Sequence, residues 1–461
     1  MIGKLQLNIN SPNYLYNNKK LGDQFYGNPD YSFFKKVYVK QTNFSVSRIY
    51  SEIKDINKID KFNKNFSIKI PQQGDLLKKV YLEIDVNCSL KNSNVTSTYT
   101  VNHFINSFIE KTSFEIAHCQ VEEYLSQWKQ IRTEFKTKTK TPQVLSCETA
   151  GGNEIDLNFT SDLKRTEYDA NNMDECGIPI IVGGNYNNKD IDLTGGITKK
   201  IIYEFDFWFC RNLGQALPIS VIKNQDLEIK IKTAEKKKVI GDNTHLDLKI
   251  TNIRFLSDQI FLDTDEKQIF NKDHEYIIDV VKYNSTTSLR TSENTKDSST
   301  TTLESKIYEL DFNFPIKCLL WVVLNPGLDN NNKGQGPCYF TSLTNSSLYG
   351  SDGTEGSVEL QFNAYSRSKF PMIYFTRKNP KLYCGNIPPL DRIGLCSFAL
   401  KPFDQELTGF CNMGNIKDKR IIFEFANNNV ELIKNKRLLI FALGYNILKI
   451  QSNTAQLLWC N

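Results

Sequence analysis

Alternation of apolar and polar residues recurs along this chain, and no other feature constrains its fold as strongly. In KVYLEIDV the apolar set Val80, Leu82, Ile84 and Val86 falls on one face. In IIYEFDFWF the odd positions Ile201, Tyr203, Phe205, Phe207 and Phe209 do the same. LEIKI (227–231), LDLKI (246–250), YELDFNF (308–314), VELQF (358–362) and IIFEF (421–425) repeat the pattern. Successive side chains of a strand point to opposite faces, so each run reads as a strand with one face on a core. Many short strands of this kind build a sandwich or a barrel. An aromatic content of 12%, mostly Phe and Tyr, also favours sheet.

Helices are few. VEEYLSQWKQIRTEF places Val121, Tyr124, Leu125, Trp128, Ile131 and Phe135 on one stripe at helical spacing. In DTDEKQIF, Asp263 followed by Glu266 three residues later reads as an N-cap with a capping-box partner. Polar, glycine-containing stretches at 147–199, 284–303 and 326–356 read as long surface loops.

At 461 residues the chain exceeds one typical core, so two domains are expected. The halves also rhyme. Residues 66–86 and 308–326 each run strand, Pro, short turn, apolar strand, and residues 112–124 and 357–370 each place a strand before a turn. FWFCRNLGQALPISV and CSFALKPFDQELTGF then follow in the same order. The expected division is a polar arm over 1–25, a first β-domain over 26–238 and a second over 239–461.

Residues that carry chemistry are scattered. The four histidines, His103, His118, His245 and His274, form no metal-binding or catalytic spacing, and adjacent His118 and Cys119 would point to opposite faces of a strand. His118 therefore reads as a turn or edge residue. Nucleophile-elbow and Walker sequences do not occur, and Gly334 and Gly336 begin a nucleotide-type loop that lacks its third glycine. Eleven cysteines without Cys-x-x-Cys spacing argue against a zinc site and a disulfide framework, and read as reduced thiols of a cytosolic protein. The net charge of +5 is small for this length, and KTKTK (136–140) and KKK (236–238) are short, so nucleic acid is not an expected partner. No signal peptide is read at MIGKLQLNINSPN, and CLLWVVL and LLIFAL fall well short of the roughly 20 apolar residues of a membrane helix. No enzyme activity, catalytic residue, cofactor or metal is expected.

One stretch stands apart. YGNPDYSFFKKVYVKQTNFS (26–45) is dense in aromatic residues yet carries no reactive constellation. It resembles the N-terminal signature of the major capsid proteins of nucleocytoplasmic large DNA viruses, in which a Gly-Asn-Pro turn leads into a Phe-Phe-Lys-x-Val-Tyr run. Further resemblances follow in the family's order: GDLLKKVYLEIDV (74–86), FEIAHCQVEEYLSQWKQIRTEF (114–135) with Trp128, and FWFCRNLGQALPISVIKNQDLEIKI (207–231) with Trp208, Phe209, Arg211, Asn212 and Pro218. FLDTDEKQIFNKDHEYII (261–278), CSFALKPFDQELTGFCNMGNI (396–416) and ALGYNILKIQSNTAQLLW (442–459) complete the set. The polar arm and the loops at 147–199 and 284–303 depart from the family.

The resemblance implies an all-β fold of two consecutive eight-stranded antiparallel jelly rolls. It further implies a homotrimer whose six jelly rolls form a pseudo-hexagonal capsomer. Such capsomers would tile an icosahedral virion shell over an internal membrane, beside minor capsid and penton proteins, after synthesis in the host cytoplasm. The alternative within the same fold is a minor or paralogous capsid protein or an assembly scaffold. Gly27, Asn28 and Pro29 are expected to set a turn that aims Phe33, Phe34, Tyr38 and Phe44 into apolar space of the first sheet.

Overall fold

The alternating segments pair into four larger antiparallel sheets and one two-stranded pair. The computed structural model describes residues 42–53, 61–90, 97–136, 177–181, 197–240, 246–285, 304–324, 337–340, 356–425 and 437–459, apart from isolated positions within these ranges. The sheets lie in one compact unit that begins at Ser45, one residue into the first strand.

The first sheet has the order β1 (Phe44–Glu52), β10 (Leu246–Leu262), β3 (Leu76–Leu90) and β8 (Ile197–Glu204). The second has the order β2 (Asn65–Lys69), β9 (Leu227–Thr233), β5 (Ile109–Ile116) and β6 (Cys119–Leu125). In the second half, β11 (His274–Ser285), β19 (Arg437–Gln451), β13 (Pro315–Leu324) and β16 (Ile393–Ser397) form one sheet, extended by β17 (Cys411–Asn412) and β20 (Thr454–Leu457). Its companion has the order β12 (Glu304–Glu309), β18 (Lys419–Phe425), β14 (Ser357–Phe362) and β15 (Tyr365–Pro371). The two-stranded pair joins β4 (Ser97–Asn102) to β7 (Gly177–Ile181). Each half thus holds two sheets with a four-strand path in which the first strand lies beside the last, one of them in the second half widened to six strands by β17 and β20. This is a jelly roll, made twice.

The alternation decides which face is buried. Val80, Leu82, Ile84 and Val86 on β3 are all buried, and Ile253 and Phe255 of β10 pair opposite Ile84 and Leu82 on the same inner face. The intervening Glu83 and Asp85 turn to Arg254 instead. One apolar cluster runs from Ile53 through to Ala455 and takes in both rolls. Trp128 meets Phe441 with ring centroids 5.6 Å apart, and Phe135 meets Phe403 at 5.0 Å, so the second roll packs directly on the first.

Several sequence expectations change. The helical stripe over 121–135 is strand up to Leu125, and the helix spans only Ser126–Lys136. Cross-strand pairing with β5, in the register Thr112 to Tyr124 and Phe114 to Glu122, overrides the local periodicity. The run 201–209 ends as strand at Glu204, after which a short helix spans Trp208–Arg211. β10 lies beyond the expected boundary at 238/239 and is paired along β3 and beside β1. The lysine-rich stretch near that boundary is a local break in pattern, whereas the pairing of β10 is long-range. Phe44 opens the edge strand β1 and is 50% exposed, so it does not fill the core of this chain. Asp263 stands where the N-cap was expected, its carbonyl accepting the Lys267 N–H at 3.0 Å at the start of the helix Thr264–Phe270. Its Oδ1, however, accepts only the adjacent Thr264 N–H at 2.7 Å and not the second- or third-residue donor a capping box would serve. The predicted loops lie mostly outside the described residues, which in them include β7 and the start of β8.

Candidate assembly site at the junction of the two rolls

Beyond β8 the chain inserts aromatic rings into the junction. Phe205 and Phe207 stack at 5.6 Å, and Phe207 and Phe209 at 5.7 Å. Phe114 of β5 touches this ladder three times, at 5.5 Å from Phe207, 5.3 Å from Trp208 and 5.2 Å from Phe209. Offset and edge-on ring pairs at such separations add to the stabilisation that burial alone supplies.

A buried ionic network lies against the ladder. Glu122 shares the inner face with Phe114; its Oε2 accepts the Trp208 N–H at 3.0 Å and its Oε1 accepts from Arg211 Nη2 at 2.7 Å. Arg211 also donates to the Asp206 carbonyl at 2.6 Å. The Asp206 carboxylate lies 3.4 Å from both Arg211 and Arg132, and its N–H donates to the Tyr124 hydroxyl at 3.0 Å. Arg132 in turn lies over the Phe403 ring at 4.5 Å, and Arg211 reaches toward the Asp279 carbonyl on β11 at 3.5 Å. The second roll answers with Lys317, fully buried, which pairs with Asp279 at 2.9 Å, donates to the Asp404 carbonyl at 2.8 Å and lies over Tyr445 at 4.6 Å.

Taking charges out of water is costly, so such groups persist only when each is answered in place. Burial pushes the Glu122 carboxyl up to about 7, against the pull of Arg211 and the Trp208 N–H. Burial alone would pull the Arg211 guanidinium down, but Glu122, Asp206 and Asp279 outweigh it and hold its pKa above the ordinary value. Burial likewise raises Glu134 to about 7, opposed by the Gln130 amide, 3.0 Å away, and by the charge of Arg392. The thiols of Cys210, Cys338, Cys384 and Cys396 are pushed up to about 12 by burial, which keeps them protonated and inert. The arrangement is a lock between two sheet systems.

Of the residues singled out from the sequence, Trp128, Trp208, Phe209 and Arg211 converge on this lock. Asn212 accepts the Gly214 N–H at 2.9 Å and starts the 3₁₀ turn Leu213–Gln215. Pro218 is buried just beyond, where Leu217 and Leu77 exchange backbone hydrogen bonds at 2.8 and 3.0 Å. Gly27, Asn28, Pro29, Phe33, Phe34 and Tyr38 lie outside the described residues. Sequence reading passed over Glu122, Asp206, Arg132, Asp279 and Lys317. One signal was present: Asp206 stands between Phe205 and Phe207 in an otherwise aromatic run, where only a paired charge is tolerated.

Two consecutive jelly rolls welded through a common core, with a junction that holds charge without exposing chemistry, define a double jelly-roll structural protein. The comparisons agree. Residues 32–263 match the family of the major capsid protein N-terminus, and residues 266–456 match that of the large eukaryotic DNA virus major capsid protein. The chain belongs to the major capsid proteins of large eukaryotic DNA viruses. It is 25% identical over 462 residues to the major capsid protein of Pyramimonas orientalis virus, covering 94% of this chain and 95% of that one. It is 24% identical to the major capsid protein of Paramecium bursaria Chlorella virus 1, covering 94% and 96%. Among solved structures, a chain of the PBCV-1 virus capsid superposes with a TM-score of 0.66 at 20% identity, over 93% of this chain and all of that one. The Faustovirus major capsid protein superposes at 0.61 with 10% identity, over 91% and 93%.

Proposed function

We propose that this chain is the shell-forming subunit of its virion, three copies associating into a pseudo-hexagonal capsomer that tiles an icosahedral capsid. The observation that carries this reading is the duplication itself: two rolls with the same strand order lie in one chain, so three chains present six similar units around one axis. Apolar residues left open are available for contacts between copies. Leu382, Leu400, Leu407 and Phe410 are each more than half exposed. Phe370, Tyr374 and Phe398 line a groove of about 670 Å³ in the second roll. Exposed apolar clusters of this kind mark contact surfaces.

The role is structural and not enzymatic, with no nucleic acid or cofactor required. Neighbouring capsomers, minor capsid and penton proteins and an internal membrane complete the shell, and the chain is made in the host cytoplasm. In this reading the division between the rolls expected at 238/239 moves to the helix Thr264–Phe270, between β10 and β11, because β10 pairs along β3. Residues 1–25 serve as an arm toward shell contacts.

The test is native mass spectrometry of the purified protein with negative-stain imaging. A species near three times 53.1 kDa with a hexagonal outline supports the capsomer. A folded monomer at micromolar concentration rejects unaided self-assembly. Abundance in mature particles separates a shell subunit from a minor capsid protein or a scaffold. Removal of residues 1–25 should leave the fold intact and weaken shell contacts; an unfolded product would make the arm part of the core.

A further inference from the structure

We propose that Glu115, His118 and Glu228 form a binding site for one divalent transition-metal ion, best suited to zinc, at the tip of the β5–β6 hairpin. One ligand atom from each of the three lies within 4.8 Å of the others. Glu115 and Glu228 stand directly opposite each other on β5 and β9. Like charges in that relation destabilise a sheet unless a cation answers them. His118 sits in the turn at φ 65°, a left-handed conformation that a non-glycine residue adopts at some cost.

The surroundings orient the carboxylates without exhausting them. Glu115 is 6% exposed. Lys230 Nζ lies 2.6 Å from its Oε2, an atom that makes no aligned hydrogen bond. Ser67 donates to Glu228 Oε2 at 3.0 Å. Lys69, opposite Glu228 on β2, gives its ammonium to Asp226 at 2.6 Å. Each carboxylate keeps a second oxygen for a ligand, and outer partners of this kind are what hold metal-binding groups in place.

The second roll serves as an internal control. The positions equivalent to Glu115, His118 and Glu228 by strand register are Gln361, Ala364 and Arg420. The fold therefore does not require facing carboxylates and an imidazole at this point. The donor set selects the ion: an imidazole with two carboxylates suits zinc, whereas magnesium and calcium favour oxygen alone. Tetrahedral zinc with bonds of about 2.0–2.1 Å brings its donors to roughly 3.4 Å from one another. Exposed His118 and half-buried Glu228 can close that difference by rotamer changes. Bound there, the ion would clip the hairpin tip to β9.

The experiment is a calorimetric titration of the full-length, chelator-treated protein with zinc chloride, beside the variants His118→Ala and Glu228→Gln. Zinc taken up by cysteines is common to all three samples, so the reading is the difference between them. The parent should bind one equivalent more than either variant, or bind that equivalent at least about tenfold more tightly. Magnesium chloride should give no comparable isotherm. Unchanged melting temperatures without metal would show that the variants fold. Identical zinc isotherms for parent and variants, or no saturable binding by the parent, would overturn the proposal.

Discussion

The β5–β6 turn of the first roll is made by Ala117 and His118, at φ 48° and 65°; the β14–β15 turn of the second is made by Asn363 and Ala364, at φ 50° and 67°. The two backbones are nearly the same, and the side chains are not. A similar exchange occurs between neighbouring strands, β3 beside β8 in the first roll and β13 beside β16 in the second. In the first roll Tyr203 on β8 lies opposite Leu82 on β3, whereas in the second the ring is on β13, where Trp321 lies over Gly394 of β16. A methyl group on Gly394 would sit 2.1 Å from the Trp321 ring. The rolls thus keep a common strand order while shifting bulk from one strand to its neighbour. Charge is divided just as unequally: the first roll brings Glu122, Asp206, Arg132 and Arg211 to the junction, and the second brings Asp279 and Lys317. Strand order tolerates such exchange provided that volume and charge balance locally.

The sharpest way to break this comparison is to unbalance one side of the junction. Arg211→Leu strands Glu122 and Asp206 without their shared cation and should cost about 3–5 kcal/mol in urea unfolding. Lys317→Met, the matching change in the second roll, should cost a similar amount. A loss under about 1 kcal/mol for Arg211→Leu would mean that the aromatic ladder holds the junction alone. Gly394→Ala should cost roughly 1–3 kcal/mol by overpacking Trp321, read as a lower thermal midpoint.

Glu134 sharpens the picture through pH. Its carboxyl titrates near 7 in the fold against about 4.5 in the unfolded chain, so the folded state holds the proton more tightly. Its contribution to stability therefore falls as pH rises from about 4.5 to about 7. Glu134→Gln should flatten that slope and stabilise the protein at pH 8 by about 3 kcal/mol, with little change at pH 4.5. Parallel urea midpoints at both pH values decide it. The smallest effect belongs to the turns: Ala364→Gly should gain roughly 0.5–1 kcal/mol by relieving a left-handed alanine. A loss there would show that the glycine's added freedom in the unfolded chain outweighs the relief.

Much of this was legible before any coordinates. Period-two runs located β3, β9, β14 and β18, because half-buried strands write their burial directly into sequence. The rhyme between 66–86 and 308–326 corresponds to β2–β3 in the first roll, but in the second only Tyr308 and Glu309 of the expected strand 308–314 belong to β12, ahead of β13. That between 112–124 and 357–370 corresponds to β5–β6 and β14–β15. The start of β10 was legible as a strand at LDLKI, but its pairing along β3 was not, because that partner lies more than 150 residues away. Val121 and Tyr124 misled because their spacing suits a helix, and only β5 makes them strand. The junction showed just its aromatic half. Paired charges such as Arg211 with Glu122 come from distant segments, as does Glu228 beside Glu115, and no local pattern announces them.

The neighbouring of first and last strands has a consequence for how the protein comes into being. β1 must wait for β10, so the first sheet cannot close until Leu262 has left the ribosome. At synthesis rates of about 5–20 residues per second, that delay is the roughly 10–40 s needed to make the stretch between Glu52 and Leu262. Throughout it β3 is missing the neighbour along which it forms its longest register, with Leu82 and Ile84 uncovered. Contacts so remote in sequence also form slowly once available. A protein needed in many copies therefore passes each of them through a long interval of exposed edges, and its yield depends on how well the cell shelters nascent chains as much as on the stability of the finished subunit.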